Sequence, residues 1–295
     1  MGYVLLIGAT VLLALNFSAT KLHQIGYGSG LRSGLAFSAL VGLFTTLVFG
    51  FAIHPSMFGG WYSLLMSALM SAAIAIYTLI GFRLMADGTV AMYTVFLMLG
   101  GMLMPFFWGL LFLDETTTWR SWAGLVLILV GILLMYGGAE RLNRNSLLWL
   151  LAVFFLNGLV SIVSKEHQIH SELATATTTG FVWLSGLWRF IFCGGLYLAL
   201  RKRDSARGEW SVSATARRRI PLPLIALLSV IFSGLSMFMQ LHGAKNLPAT
   251  MLYPVVSGGT ILFTALASFL LFGERMSRKS LWAVCLCLLG TLLFV

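Results

Sequence analysis

Ten apolar stretches run near residues 3–22, 32–53, 61–82, 89–112, 120–137, 146–164, 177–200, 221–242, 249–272 and 280–295. Each is close to the ~20 residues a helix needs to cross a ~30 Å hydrocarbon core. Nearly all ionisable residues lie between them, and over the whole chain 59% of residues are hydrophobic and only 9% charged. Within a bilayer the backbone must satisfy its own hydrogen bonds, which stretches of this length do as helices; a barrel strand would be about half as long. The sequence therefore specifies an all-α polytopic membrane protein with ten transmembrane helices. The first stretch begins at Gly2 with no basic segment ahead of it and is too long for the apolar core of a cleaved signal peptide, so it is expected to stay as a helix. The longest break, 201–220, leaves no room for a soluble domain.

A net charge of +10 would suggest nucleic acid in a soluble chain, but here the basic residues are sorted by loop. The loops on the side reached after the first helix hold fifteen Lys and Arg, among them Lys21, Arg32, Arg83, Arg141 and the cluster within 201–219; the other side holds Arg120, Lys165 and Lys245. Cytoplasmic loops are the ones that retain Lys and Arg, so both termini are expected to face outward. The basic stretch at 201–220 acts as a topology anchor, with contact to anionic lipid as a second role. Cys193, Cys285 and Cys287 lie in apolar stretches, form no CxxC pair and read as small hydrophobes.

The hexapeptide TKLHQI, 20–25, returns as SKEHQI at 164–169, an offset of 144. A second series follows at an offset of 159: Glu115 with Glu274, Gly131 with Gly290, and LVGILLM (129–135) with LLGTLLF (288–294). The long basic loop accounts for the change in offset, because its counterpart between the second and third helices is short. The chain thus reads as two five-helix repeats, 1–140 and 141–295. Five is odd, so the second repeat enters the membrane from the opposite face. Such inverted repeats are characteristic of secondary transporters, which hold substrate near the midplane between the halves. Inversion also puts Lys21 and Lys165 on opposite faces, so the repeated hexapeptide marks architecture rather than one shared site.

These residues resemble the drug/metabolite transporter superfamily, in its ten-helix, two-repeat EamA-like branch. The first helix carries LLALNFSATKL, with Leu13 where a Trp is often found. The fourth and ninth helices end in FLDETTTW and FGERMSRKS, and the next helices carry the Gly of VGILL and LGTLL. The stretch YPVVSGGTILFTALASFLLFGER (253–275) is similar to the small multidrug proteins of that superfamily. The resemblance implies a metabolite permease whose cavity is lined by helices 1–4 and 6–9, with helices 5 and 10 as supports. It leaves open amino acids, sugars, nucleotides, choline and drugs as substrates. One departure bears on mechanism: the membrane Glu that the small multidrug proteins place eight residues before the Lys is Asn157 here, so proton coupling through that Glu does not carry over.

Arg189 stands near the middle of the seventh stretch. A charge there costs at least ~2.5–3.5 kcal/mol and must face a cavity or partner, and guanidinium binds carboxylate or phosphate through paired hydrogen bonds. Substrate contact and an architectural role are both open to it. Asn16, Thr20 and His23 share one helix face, as do Asn157, Ser161 and Ser164; such polar stripes line a watery path or bond a neighbouring helix. Tyr253 and Ser257, with Pro254 and the glycines beside them, and Tyr93, with Gly100, Gly101 and Pro105, mark pliable backbone that either builds a site or packs helices. Trp188, with Trp183 and Trp108, is suited to stacking or to packing. The candidate substrate-binding set is Asn16, Thr20, Tyr93, Asn157, Ser161, Trp188, Arg189, Tyr253 and Ser257. Lys21 and Lys165 are expected to cap carbonyls at the ends of their helices, with gating or substrate contact as the other reading. KEHQIHSE (165–172) falls in an expected outer loop and lacks a metal-ligand pattern. His23, His167 and His242 could report protons near neutral pH, though nothing in the sequence requires it.

No G-x-x-x-x-G-K-[ST] occurs, and no Asp or Glu falls in mid-helix. Secondary transport follows, by facilitated flux, exchange or coupling through His, with no catalytic residue, metal or cofactor. The expected activity is export of an amino-acid-like or other anionic metabolite. Multidrug or cation efflux and uptake are the alternatives within the class, and a membrane-embedded transferase or a scaffold outside it. The expected partners are the small-molecule substrate and the lipid bilayer of the cell membrane, without nucleic acid, and a monomer is the working oligomeric state.

Overall fold

A computed structural model describes residues 2–28, 30–50, 60–86, 90–136, 144–173, 176–206, 220–273 and 277–294. These form ten α-helices: α1 (Gly2–Tyr27), α2 (Leu31–Gly50), α3 (Trp61–Ala86), α4 (Val90–Phe112), α5 (Trp119–Tyr136), α6 (Arg144–Ile169), α7 (Thr178–Ala206), α8 (Leu222–Asn246), α9 (Ala249–Phe272) and α10 (Arg278–Leu292). Eight are long and apolar enough to cross a membrane. The two shorter ones, α5 and α10, pack on each other and buttress α4 and α9. Most of the basic stretch at 201–220 and the repeat boundary at 140/141 lie outside the described residues.

The packing repeats when helices 1–5 are exchanged for 6–10. α1 packs on α8 and α9, and its counterpart α6 packs on α3 and α4; α2 with α7, α4 with α9 and α5 with α10 map onto themselves. The correspondence reaches single residues. A Cβ on Gly131 would meet the Ala283 carbonyl oxygen at 3.0 Å and Cys287 Sγ at 2.6 Å, and one on Gly290 would meet the Gly124 carbonyl oxygen at 2.7 Å and Ile128 at 2.8 Å. Those two contacts are related by the offset of 159. Gly residues at these points let the helix backbones approach closely, which is how helices associate where lipid supplies no hydrophobic driving force. The N-caps repeat as well: Thr118 Oγ1 accepts the Ser121 amide at 3.4 Å, and Ser277 Oγ the Ser280 amide at 3.1 Å. Each satisfies one orphan donor of a helix start.

Two matched pairs depart from the symmetry. α5 packs on α9, whereas α10 and α4 have no comparable contact among the described residues. The second lies beside α6: α6 packs against α8, whereas its counterpart pair, α1 and α3, has no comparable contact among the described residues. The helices also run further than hydropathy alone suggests. Lys165–Ile169 continue α6 where a loop was expected, because Lys165, His167 and Gln168 are buried against neighbouring helices rather than solvated.

Candidate functional site

A cavity of about 130 Å³ lies where α6 meets α3, α8 and α9. α6 contributes Val160, Ser161 and Ser164; α8 contributes Met237, Gln240, Leu241 and Ala244, spaced along one helical face; α3 adds Met70 and Ile74, and α9 adds Tyr253. No lining residue is charged. Its polar groups are held by a bonded frame. Tyr253 Oη donates to the Ser161 carbonyl at 2.5 Å, and Ser161 Oγ donates to the Gly101 carbonyl at 3.3 Å. Ser164 Oγ donates back to the Val160 carbonyl at 2.7 Å, and Gln240 Nε2 donates to Ser236 Oγ at 3.0 Å, which in turn donates to the Ala9 carbonyl at 2.7 Å.

At one end of the cavity a charged cluster ties four chain segments together. After α4 the chain turns at Asp114, in the left-handed region at φ 50, and the Glu115 amide bonds back to the Gly109 carbonyl at 3.1 Å. A short side chain such as Asp tolerates that conformation better than most. The turn sends the Glu115 carboxylate to the start of α9, where it accepts the Ala249 amide at 2.6 Å and the Thr250 amide at 2.8 Å. Pro248 offers no side-chain cap there, so Glu115 does the work of an N-cap and also opposes the positive end of the helix dipole. Lys165 Nζ lies 3.9 Å from Glu115 Oε1 and donates to the Ala244 carbonyl at 2.9 Å and the Leu247 carbonyl at 2.7 Å. Its carbonyl partners, Ala244 in α8 and Leu247 at the α8 C-cap, lie off its own helix, contrary to expectation, because helices two apart in the chain run parallel and α6 and α8 end on the same face. The two side chains are only 6% and 11% exposed, so each depends on the other for compensation. Beside them Trp108 Nε1 donates to Glu166 Oε1 at 2.5 Å, a second tie between α4 and α6.

The repeated His residues are packing elements. His167 stacks on Phe181 with centroids 3.9 Å apart, and His23 stacks on Phe37 at 4.2 Å. Both members of each pair are related by the offset of 144. His167 also bonds Ser63 Oγ at 2.9 Å and Gln168 at 2.8 Å, while His23 bonds Ser33 Oγ at 3.1 Å. In KEHQIHSE, His170 pairs with Glu166 at 3.2 Å, and no group of three or more metal-ligating side chains comes together among the described residues.

Of the nine sequence-derived candidates, Ser161 and Tyr253 line this cavity. Asn157 stands one turn away and donates from Nδ2 to the Leu97 carbonyl at 2.7 Å. Asn16 accepts from Ser229 Oγ at 2.5 Å, and Thr20 bonds back to the Asn16 carbonyl at 3.0 Å, so that stripe holds α1 to α8. Tyr93 packs against Gly81 and the α3–α4–α6 core, and Ser257 is half-buried on α9. Trp188 stacks on Phe192 at 5.5 Å. Arg189 lies away from the cavity, close enough to Tyr77 and Cys193 to act on them electrostatically, and its Nε and the Trp188 Nε1 are buried without a hydrogen-bond partner among the described residues. Glu115, Gln240 and the paired methionines stood outside the candidate set. An acid and a Lys recurring at matched positions in both repeats is the sequence signal for the cluster; no sequence signal singles out Gln240.

Residues 144–295, which span α6 to α10, match the model of the EamA-like transporter family. No curated protein matches the chain. A solved structure described only as a crystal structure of a protein superposes with a TM-score of 0.74, covering 98% of this chain and 94% of its own at 14% identity. At that identity the likeness is one of fold.

Proposed function

This chain belongs to the EamA-like transporter family of the drug/metabolite transporter superfamily, and on that premise we propose that it is a secondary permease that moves a small metabolite by alternating access. The observation that carries this reading is an inequality of packing: α6 packs against α8, while α1 and α3 have no comparable contact among the described residues. Halves of an inverted repeat that pack unequally at matched interfaces are what is needed to present a site to one face at a time. The cavity lies beside the packed pair, bordered by Ala244 of α8 and Ser164 of α6.

The substrate carries a carboxylate or other anionic group, amino-acid-like compounds being the first choice, and the direction is export. Arg189 supports this, because a guanidinium at membrane depth with an unpartnered Nε is suited to an anion. Ser161 and Tyr253 give the cavity its polar wall, with Asn157 one turn away; Arg189, Asn16, Thr20, Tyr93, Trp188 and Ser257 lie outside its lining and would meet the substrate only in another packing of the helices. Both termini face outward in the cell membrane by the loop-charge argument, which puts the Lys165–Glu115 cluster on the outer side. A C-terminal reporter active only in the cytoplasm would reverse that orientation.

The uncharged lining with two methionines favours a second reading, efflux of flat or apolar compounds, since thioethers make adaptable contacts with aromatic rings. A thermal-shift screen of wild type and Arg189→Ala against amino acids, organic acids, nucleosides and quaternary amines separates the two. A ligand bound only by the native state raises its melting temperature. Stabilisation of wild type but not the variant by an anionic metabolite supports the first reading; equal stabilisation of both by cations or aromatics supports the second.

A further inference from the structure

The ammonium of Lys165 stands close to the cavity. Ala244 lines the cavity, and its carbonyl accepts Lys165 Nζ at 2.9 Å, so the ammonium stands at the cavity wall behind one peptide unit. An ammonium has three donors. Here they face the carbonyls of Ala244 and Leu247 and the carboxylate of Glu115. Two of these acceptors, Ala244 in α8 and Leu247 at its C-cap, leave with α8 if α6 and α8 part. The third, Glu115, is itself fixed to the Ala249 and Thr250 amides of α9. Lys165 would then remain on α6 beside Ser161, one turn back on the same face, with the two donors that α8 had filled now free and the uncharged cavity before it.

We propose that Lys165 receives the anionic group of the substrate when this face opens, and that Glu115 and the α8 carbonyls occupy it while the face is closed. The inference rests on the permease reading above and adds to it the residue that reads the substrate's charge at this gate. Closure and recognition become one exchange: an anion replaces the acceptors of the shut state, so a buried ammonium is never left unpaired, a condition that would be strongly unfavourable.

The test has two arms on the full-length protein. In the first, Cys193, Cys285 and Cys287 are replaced by Ser, Ser161→Cys is introduced, and its reaction with a membrane-impermeant thiol reagent is timed from the Lys165 face, with and without Glu115→Gln. Glu115→Gln is expected to raise the rate at least tenfold by loosening the closed state; an unchanged rate overturns the gate. In the second, counterflow of labelled glutamate, malate and uridine is measured in proteoliposomes. Lys165→Met is expected to lose at least tenfold of the flux of the anions with uridine flux kept within twofold, and Lys165→Arg to recover most of it. Equal loss of all solutes in both variants assigns Lys165 a structural role and overturns the proposal. Wild type that carries none of the three in counterflow, though its labelling responds to Glu115→Gln, removes the permease reading on these solutes and the recognition step with it.

Discussion

Gly42 and Gly186 face each other where α2 crosses α7: a Cβ on Gly42 would stand 2.9 Å from the Gly186 carbonyl oxygen. The two are repeat mates at the offset of 144, so the axis that relates the halves passes between them. A side chain at either position would drive the two repeats apart.

Replacing Gly42 or Gly186 by Val is accordingly expected to destabilise the protein by at least ~1–3 kcal/mol, the usual cost of overpacking, because the obstructing atoms are mainly backbone or the stiff Thr45 side chain. Gly195→Ala on the same helix meets nothing within 4 Å and is expected to leave stability unchanged or raise it by up to ~1 kcal/mol, the helix-propensity difference. Thermal unfolding in detergent, followed by loss of the monodisperse peak, compares the three.

Removing one partner of the Lys165–Glu115 pair leaves the other's charge buried with only its backbone hydrogen bonds. Lys165→Met or Glu115→Gln alone is expected to cost ~3–5 kcal/mol, and the double variant clearly less than the sum of the two. A double-mutant cycle of unfolding free energies measures the difference; strict additivity would mean that the 3.9 Å approach contributes nothing.

The two repeated His residues are expected to respond unequally. His167→Phe keeps the stack on Phe181 but strands Ser63 and Gln168, at ~1–3 kcal/mol. His23→Phe loses one half-buried bond to Ser33 and is expected to cost ~0.5–1.5 kcal/mol. Melting temperatures rank the pair, and a larger loss at His23 would count against the packing account.

Tyr253→Phe removes the bond from the cavity wall to the Ser161 carbonyl without changing the shape of the ring. A loss of ~0.5–1.5 kcal/mol is expected, together with altered affinity for any ligand that fills the cavity, read by isothermal titration against the compound that gives the largest thermal shift.

The fold was legible because the lipid constraint is severe. Ten stretches of helix length leave little choice of secondary structure, and a repeated Gly such as Gly131 with Gly290 survives as a contact that both halves need. The site was legible only in part, because hydropathy and helical spacing report which residues are polar and which share a helix, not which helices meet. Asn16 and Thr20 have the pattern of a cavity stripe and serve as a bond to α8 and a back-bond within α1. Lys165 has the position of a helix cap and finds its carbonyls on another helix. Gln240 was invisible because its one polar partner, Ser236 a turn away, marks only a bond within α8, whereas its place on the cavity wall depends on α3, α6 and α9.

The most direct test of alternating access is solute exchange by the purified protein in proteoliposomes without ATP, using labelled amino acids and organic acids trapped against an excess of the same compound. The account predicts saturable counterflow of at least one anionic or zwitterionic solute, reduced by Arg189→Ala. Rates equal to those of protein-free liposomes for every solute, from protein that still unfolds cooperatively, would contradict it.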